Sequence, residues 1–135
     1  YVTGVQTCAL PICANRVTPE LLVGWLKALY DEESVREAFL ASLAEPSEPG
    51  TMRRRFRSDM PEHRLAAKTG YLRGVSTLSG YVLDEASARG VAFSVLVNDI
   101  PSSLPLKRVK AFQETVVLAI DEWLDRQVAA AAGED

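Results

Sequence analysis

"RLAAKTGYLRGVSTLSGYV", Arg64 to Val82, is the stretch on which the fold turns. Leu65 to Lys68 leads into Lys68-Thr69-Gly70, where an ammonium, a hydroxyl and a residue without a side chain stand in succession. Gly74 permits a break or bulge, and Val75 to Leu83 alternates small and apolar residues, the pattern of a half-buried strand. "DEASARG" then reads as a hairpin turn, and Val91 to Asn98 as a nearly continuous apolar strand buried on both faces. The expectation is a three-stranded antiparallel ribbon.

Helices are predicted on either side of it. Thr18-Pro19-Glu20 is a helix start: a capping hydroxyl, proline in the first turn, then an acid favoured by the dipole. Leu21, Leu22, Trp25, Leu26 and Leu29 follow at helical spacing, which predicts a buried face. Asp31 is placed to cap a second helix with Val35, Ala38, Phe39 and Leu43 as its stripe. After the proline-rich loop Ala44–Gly50, Thr51 is expected to open a short helix through Arg57. A long helix from about Pro105 to Ala130 carries Leu106, Val109, Phe112, Val116, Ile120, Trp123 with Leu124, and Val128 along one side. Strands bracketed by helices give the α+β class with a short antiparallel sheet.

At 135 residues the chain has room for one domain with a core of its own. A net charge of -3 argues against nucleic acid or an anionic membrane as a partner of the whole surface. No apolar run approaches the roughly eighteen residues of a membrane helix. One histidine, His63, excludes a multi-histidine metal site, and no Cys-x-x-Cys spacing exists. No metal or other cofactor is expected.

Residues 1–14 do not match the rest. They hold no Asp, Glu, Lys or Arg, and they contain both cysteines, Cys8 and Cys13. Val2 to Ile12 reads like one translated frame of a widely used sequencing adapter, so the segment is taken as a non-native scar. Residues 15–135 are then the natural part, cut on its N-terminal side by an unknown length.

Lys68-Thr69-Gly70 makes chemical sense if its strand is the wall of a cleft. Side chains alternate along a strand, so lysine and threonine meet one ligand only with local twist. A glycine next to them lets an extended ligand lie against the strand and pair with it. The ammonium and hydroxyl then hold a carboxylate, and the backbone N–H of Tyr71 is free to face a developing oxyanion.

The tripeptide alone is a weak signal, and its setting supplies the specificity. "AKTGYLRGVSTLSGYV" followed by "VAFSVLVN", with "NRVTP" (Asn15 to Pro19) and "PGTMRRRF" (Pro49 to Phe56) upstream, resembles the C-terminal part of the S13-type D-alanyl-D-alanine carboxypeptidases, the class C penicillin-binding proteins. The resemblance spans Asn15 to Trp123. It implies part of a serine β-lactamase/transpeptidase-like fold and a serine acyl-transfer activity on peptidoglycan stem peptides ending in D-Ala-D-Ala. It also implies acylation by β-lactams and an extracytoplasmic location. By the family pattern Lys68 and Thr69 bind the substrate carboxylate, Gly70 allows close approach, and the Tyr71 amide gives half the oxyanion hole. Many relatives carry a small hydroxyl residue where Tyr71 stands, which puts the fit beside that side chain in question.

The other two motifs of such enzymes, Ser-x-x-Lys and Ser-x-Asn, are absent from this chain. None of the serines from Ser34 to Ser103 has a lysine three positions on, and neither Asn15 nor Asn98 follows a serine by two. No catalytic residue is therefore assigned here, and the 135-residue piece is expected to be inactive alone. Two alternatives stand beside the peptidase: a fragment of a serine β-lactamase, which shares the Lys-Thr/Ser-Gly strand, and a non-catalytic α+β interaction domain. "GVSTLSGYV" and "FSVLVN" look more like the peptidase. Elsewhere the bland reading is taken: His63 as a solvated loop residue, Arg53 to Arg57 as a solvated face with Phe56 inward, Trp25 and Trp123 as core. Tyr81 and Phe93 are read as sheet packing, and Ser102, Ser103 and Asn98 as turn or strand-end residues.

Overall fold

A computed structural model describes residues 16–132, so the proposed scar and Asn15 lie outside the described residues. The order of elements is α1 (Pro19–Asp31), α2 (Glu33–Ala41), β1 (Arg64–Leu72), β2 (Val75–Asp84), β3 (Arg89–Val97) and α3 (Leu106–Ala132). Three helices and one antiparallel sheet of order β1-β2-β3 make an α+β fold, as the sequence pattern predicts. None of these helices is long and apolar enough to cross a membrane.

The hairpins set the register. Leu72 pairs with Val75 across the two-residue turn Arg73-Gly74, where Gly74 takes φ 80°, a conformation that glycine adopts without strain. Asp84 pairs with Arg89, and the Asp84 carboxylate closes that turn by accepting from the Ala86 and Ser87 N–H groups and the Ser87 hydroxyl. Strand alternation then sorts the side chains. Leu65, Ala67, Leu78, Val82 and Phe93 face α3, where they bury Val117 and Leu124 together with Met52 and Phe56. Tyr81 and Leu83 face α1 and α2, meeting Leu26, Tyr30, Phe39, Leu40 and Leu43.

α1 begins as predicted: Thr18 Oγ1 accepts from Leu21 N at 3.1 Å and Pro19 occupies the first turn. Its inner face is narrower than its pattern. Leu26 is buried, whereas Leu21 is 57% and Trp25 69% exposed, which corrects the core assignment of Trp25. α2 is capped by Glu32 in place of Asp31, with the carboxylate on Ser34, and none of its residues is fully buried.

Residues 51–58 form turns where a short helix was expected. Phe56 sits at φ 56°, outside the helical region, and it and Met52 plug the core. Arg55 is no solvated residue. It is buried and donates to Glu114 at 2.5 Å, to Gln113 Oε1 at 3.3 Å and to the Lys110 carbonyl at 3.0 Å. His63 is likewise drawn in: its Nδ1 lies 2.9 Å from Asp121 Oδ1, and that buried carboxylate also accepts from the Glu62 and His63 N–H groups.

These two polar anchors explain how the stripe on α3 departs from the expected one. The residues facing inward are Val109, Gln113, Val117, Asp121 and Leu124, while Phe112 and Trp123 lie about half exposed on the flank. Hydrophobic periodicity cannot register a buried glutamine and aspartate, so it placed the face one position aside. The expectation of a β3 buried on both faces is corrected: only Phe93, on the α3 face, is buried, the other residues are half-buried or exposed, and among the described residues the strand pairs on one side only.

Candidate functional site

The Lys68-Thr69-Gly70-Tyr71 run occupies the second half of β1, an edge of the sheet. Ala44 closes the first half of that edge: its N–H donates to Ala67 O at 3.0 Å and its carbonyl accepts from Ala67 N at 2.9 Å. The amide and carbonyl of Ala67 therefore point away from β2. Because strand backbone groups alternate in direction, those of Thr69 and Tyr71 point outward as well. The two-residue turn gives the same answer independently, since it makes Leu72 and Val75 the bonded pair that closes the hairpin. Beyond Ala67 the edge has no backbone partner among the described residues.

Three groups meet on this open edge. The Lys68 side chain leaves the sheet on the α1–α2 side, is exposed, and folds back so that Nζ donates to the outward Thr69 carbonyl at 2.5 Å. The Thr69 side chain stands on the opposite, α3 side, in the row with Leu78 and Val95. Lysine and threonine therefore straddle the edge from two faces, and the backbone bend of the ammonium brings its charge to the edge itself. Next along it comes the outward N–H of Tyr71.

Gly70 has a different neighbour from the expected one. A Cβ built there would lie 2.3 Å from Thr77 Oγ1, its cross-strand partner. The space freed by the missing side chain is thus filled by the threonine hydroxyl on the Lys68 face, and glycine is required by the protein itself. Thr77 takes the Cβ direction of Gly70, so the open side of this strand is its edge, beside Thr69 and Tyr71. The Lys68 face continues with a cross-strand hydroxyl pair, Ser79 Oγ and Ser94 Oγ at 2.8 Å. Thr77 was missed in the sequence, although the two-residue turn at Arg73-Gly74 already puts it opposite Gly70.

The Tyr71 ring is 64% exposed. It lines a groove of about 610 Å³ with Arg73, Ile100, Pro101, Leu104 and Leu106, between the β1–β2 turn and the β3–α3 connection. Ile100 N donates to Gly74 O at 2.9 Å and ties the two walls together. The bland readings of Tyr81 and Phe93 hold. Tyr81 is buried under α1 with its hydroxyl donating to Leu26 O at 2.6 Å, and Phe93 is buried against α3. Burial pushes the Tyr81 phenol up to about 12, with the neighbouring Tyr30 and Asp31 adding to the shift.

A comparison with protein families matches residues 13–125 to the D-Ala-D-Ala carboxypeptidase 3 (S13) family. No curated protein and no solved structure matches the chain.

Proposed function

The chain belongs to the D-Ala-D-Ala carboxypeptidase 3 (S13) family, and from that membership we propose that it supplies the carboxylate-holding strand of a serine D-Ala-D-Ala carboxypeptidase. In this reading residues 15–135 are the C-terminal part of the transpeptidase-like domain. The Ser-x-x-Lys and Ser-x-Asn motifs then stand outside these residues, and the piece alone does not turn over substrate. The enzyme works on peptidoglycan stem peptides, is acylated by β-lactams, and acts outside the inner membrane, where peptidoglycan lies.

The observation that carries this reading is the second half of β1, which has no backbone partner along its outer edge among the described residues. A peptide ending in D-Ala-D-Ala lies antiparallel along it. Its terminal carboxylate takes the Lys68 ammonium and Thr69 hydroxyl through charge-assisted hydrogen bonds. The ammonium gives up the Thr69 carbonyl, which is then free to pair with the bound chain. The scissile carbonyl falls at the Tyr71 N–H, which stabilises negative charge as the serine attacks. With the carboxylate at Lys68 and the carbonyl at Tyr71, the acyl portion continues toward Arg73 and the groove under the Tyr71 ring.

The test uses the protein encoded by the complete reading frame. That frame is expected to contain both missing motifs; one without them rules out the enzyme and leaves the interaction domain. In the complete protein, Lys68→Ala is expected to slow acylation by a labelled, carboxylate-bearing penicillin by about tenfold to a hundredfold, the loss of one charged hydrogen bond. An unchanged rate removes Lys68 from the site. The 135-residue chain by itself is expected to give no covalent adduct on mass spectrometry.

A further inference from the structure

The turns at 51–58 and the start of α3 concentrate positive charge where helix stability argues against it. α3 opens with Leu106-Lys107-Arg108-Val109-Lys110 and has no acid in its first turn. That end of a helix already carries partial positive charge from its unpaired N–H groups, so lysines there cost stability. Across from them stand Arg54 and Arg57. Between the two segments runs a groove of about 560 Å³, lined by Arg54, Arg57, Lys107 and Lys110 with the hydroxyls of Thr51 and Ser58.

The groove is held rigidly at its base. Arg55 ties the 51–58 segment to α3 through Glu114, Gln113 and the Lys110 carbonyl, and Gln113 in turn donates to Ser76 Oγ at 3.3 Å. Glu114, the acid on the groove wall, is therefore occupied by Arg55. Of the five cations that line the groove only Arg55 is paired; Arg54, Arg57, Lys107 and Lys110 have no carboxylate within ion-pair distance among the described residues. In a chain of net charge -3 this is a local accumulation of like charge, and its lining shares no residue with the groove beside Tyr71.

We propose that this groove binds phosphate groups, as a phosphate monoester or diester. Two guanidinium forks match phosphate oxygens in pairs, two ammoniums add point charge, and the hydroxyls supply further donors. Four cations exceed what a single carboxylate would neutralise, and the groove has room for more than one phosphate. A phospholipid headgroup and a soluble phosphate polymer offer the same chemistry.

Pyrophosphate titrated into the full chain at low ionic strength, followed by calorimetry, tests the site. Binding is expected, weakening as salt screens the exposed cations. The double reversal Arg54→Glu/Lys107→Glu is expected to weaken it by about tenfold or more, and the neutral pair Arg54→Gln/Lys107→Gln by less. Arg126→Glu, a reversal further along the same helix, should leave it unchanged. Circular dichroism of each variant should match the parent chain, since all three positions are exposed. Phosphatidylglycerol vesicles that displace pyrophosphate identify a headgroup as the source; binding that vesicles do not displace identifies a soluble phosphate. Absence of pyrophosphate binding, or equal binding by the double reversal, overturns the proposal.

Discussion

Gly70 is one residue whose role changes once its neighbours are known. Read along the chain it opens space for a ligand, whereas in the sheet it makes room for Thr77. Gly70→Ala should therefore destabilise the chain by about 1–3 kcal/mol through overpacking. Adding Thr77→Ala should return a large part of that loss, because the clashing oxygen is gone; thermal unfolding of the single and double variants measures the coupling. Additive losses would mean the two do not touch. Tyr81 gives a pH prediction. Its phenol is raised from 10.0 in the unfolded chain to about 12 in the fold, so the neutral form is the one the fold favours. Its contribution is fully present below pH 10 and is lost as pH rises from 10 toward 12. An alkaline stability series on the parent and on Tyr81→Phe should diverge across that window, with the parent falling faster.

Among the elements, α3 and the 51–58 turns depend on polar anchors as well as on apolar contact. Arg55→Ala would leave Glu114 and the Oε1 of buried Gln113 without their Arg55 donors, and release the turn that carries Met52 and Phe56. The expected loss is about 3 kcal/mol, the scale for breaking a buried pair by removing one member, measured by denaturant unfolding. Arg53→Ala, at an exposed position of the same turn, should cost under about 0.5 kcal/mol. The strand segment was legible from its own residues: lead-in, turn glycine and alternation placed β1, β2 and β3 to within a residue or two at most ends. The helical stripe on α3 was not, because Gln113 and Asp121 face inward to hold Arg55, Ser76 and the Glu62–His63 backbone. The pattern that locates a helix face counts apolar residues, and those two are polar.

At the scale of the whole molecule, the exposed apolar side chains set its behaviour. Trp25 on α1 and Phe112 and Trp123 on α3 are about half exposed or more, and β3 offers an unpaired edge among the described residues. Such surfaces favour association. The isolated chain is expected to self-associate as its concentration rises, seen by sedimentation velocity. In dilute solution both tryptophans should be readily quenched by acrylamide. Well-shielded tryptophans in a monomer would contradict the packing described here.

Sequence alone determined the α+β class, the antiparallel ribbon, the capped start of α1 and the Lys68-Thr69-Gly70 motif with its family. Each of these rests on spacing within a short stretch, where neighbouring residues set the backbone. Tertiary structure decided which half of the β1 edge is closed by Ala44, which side of that edge each side chain takes, and which polar residues are buried. Those features join residues tens of positions apart, and buried polar groups are tolerated only where a distant partner completes their hydrogen bonds.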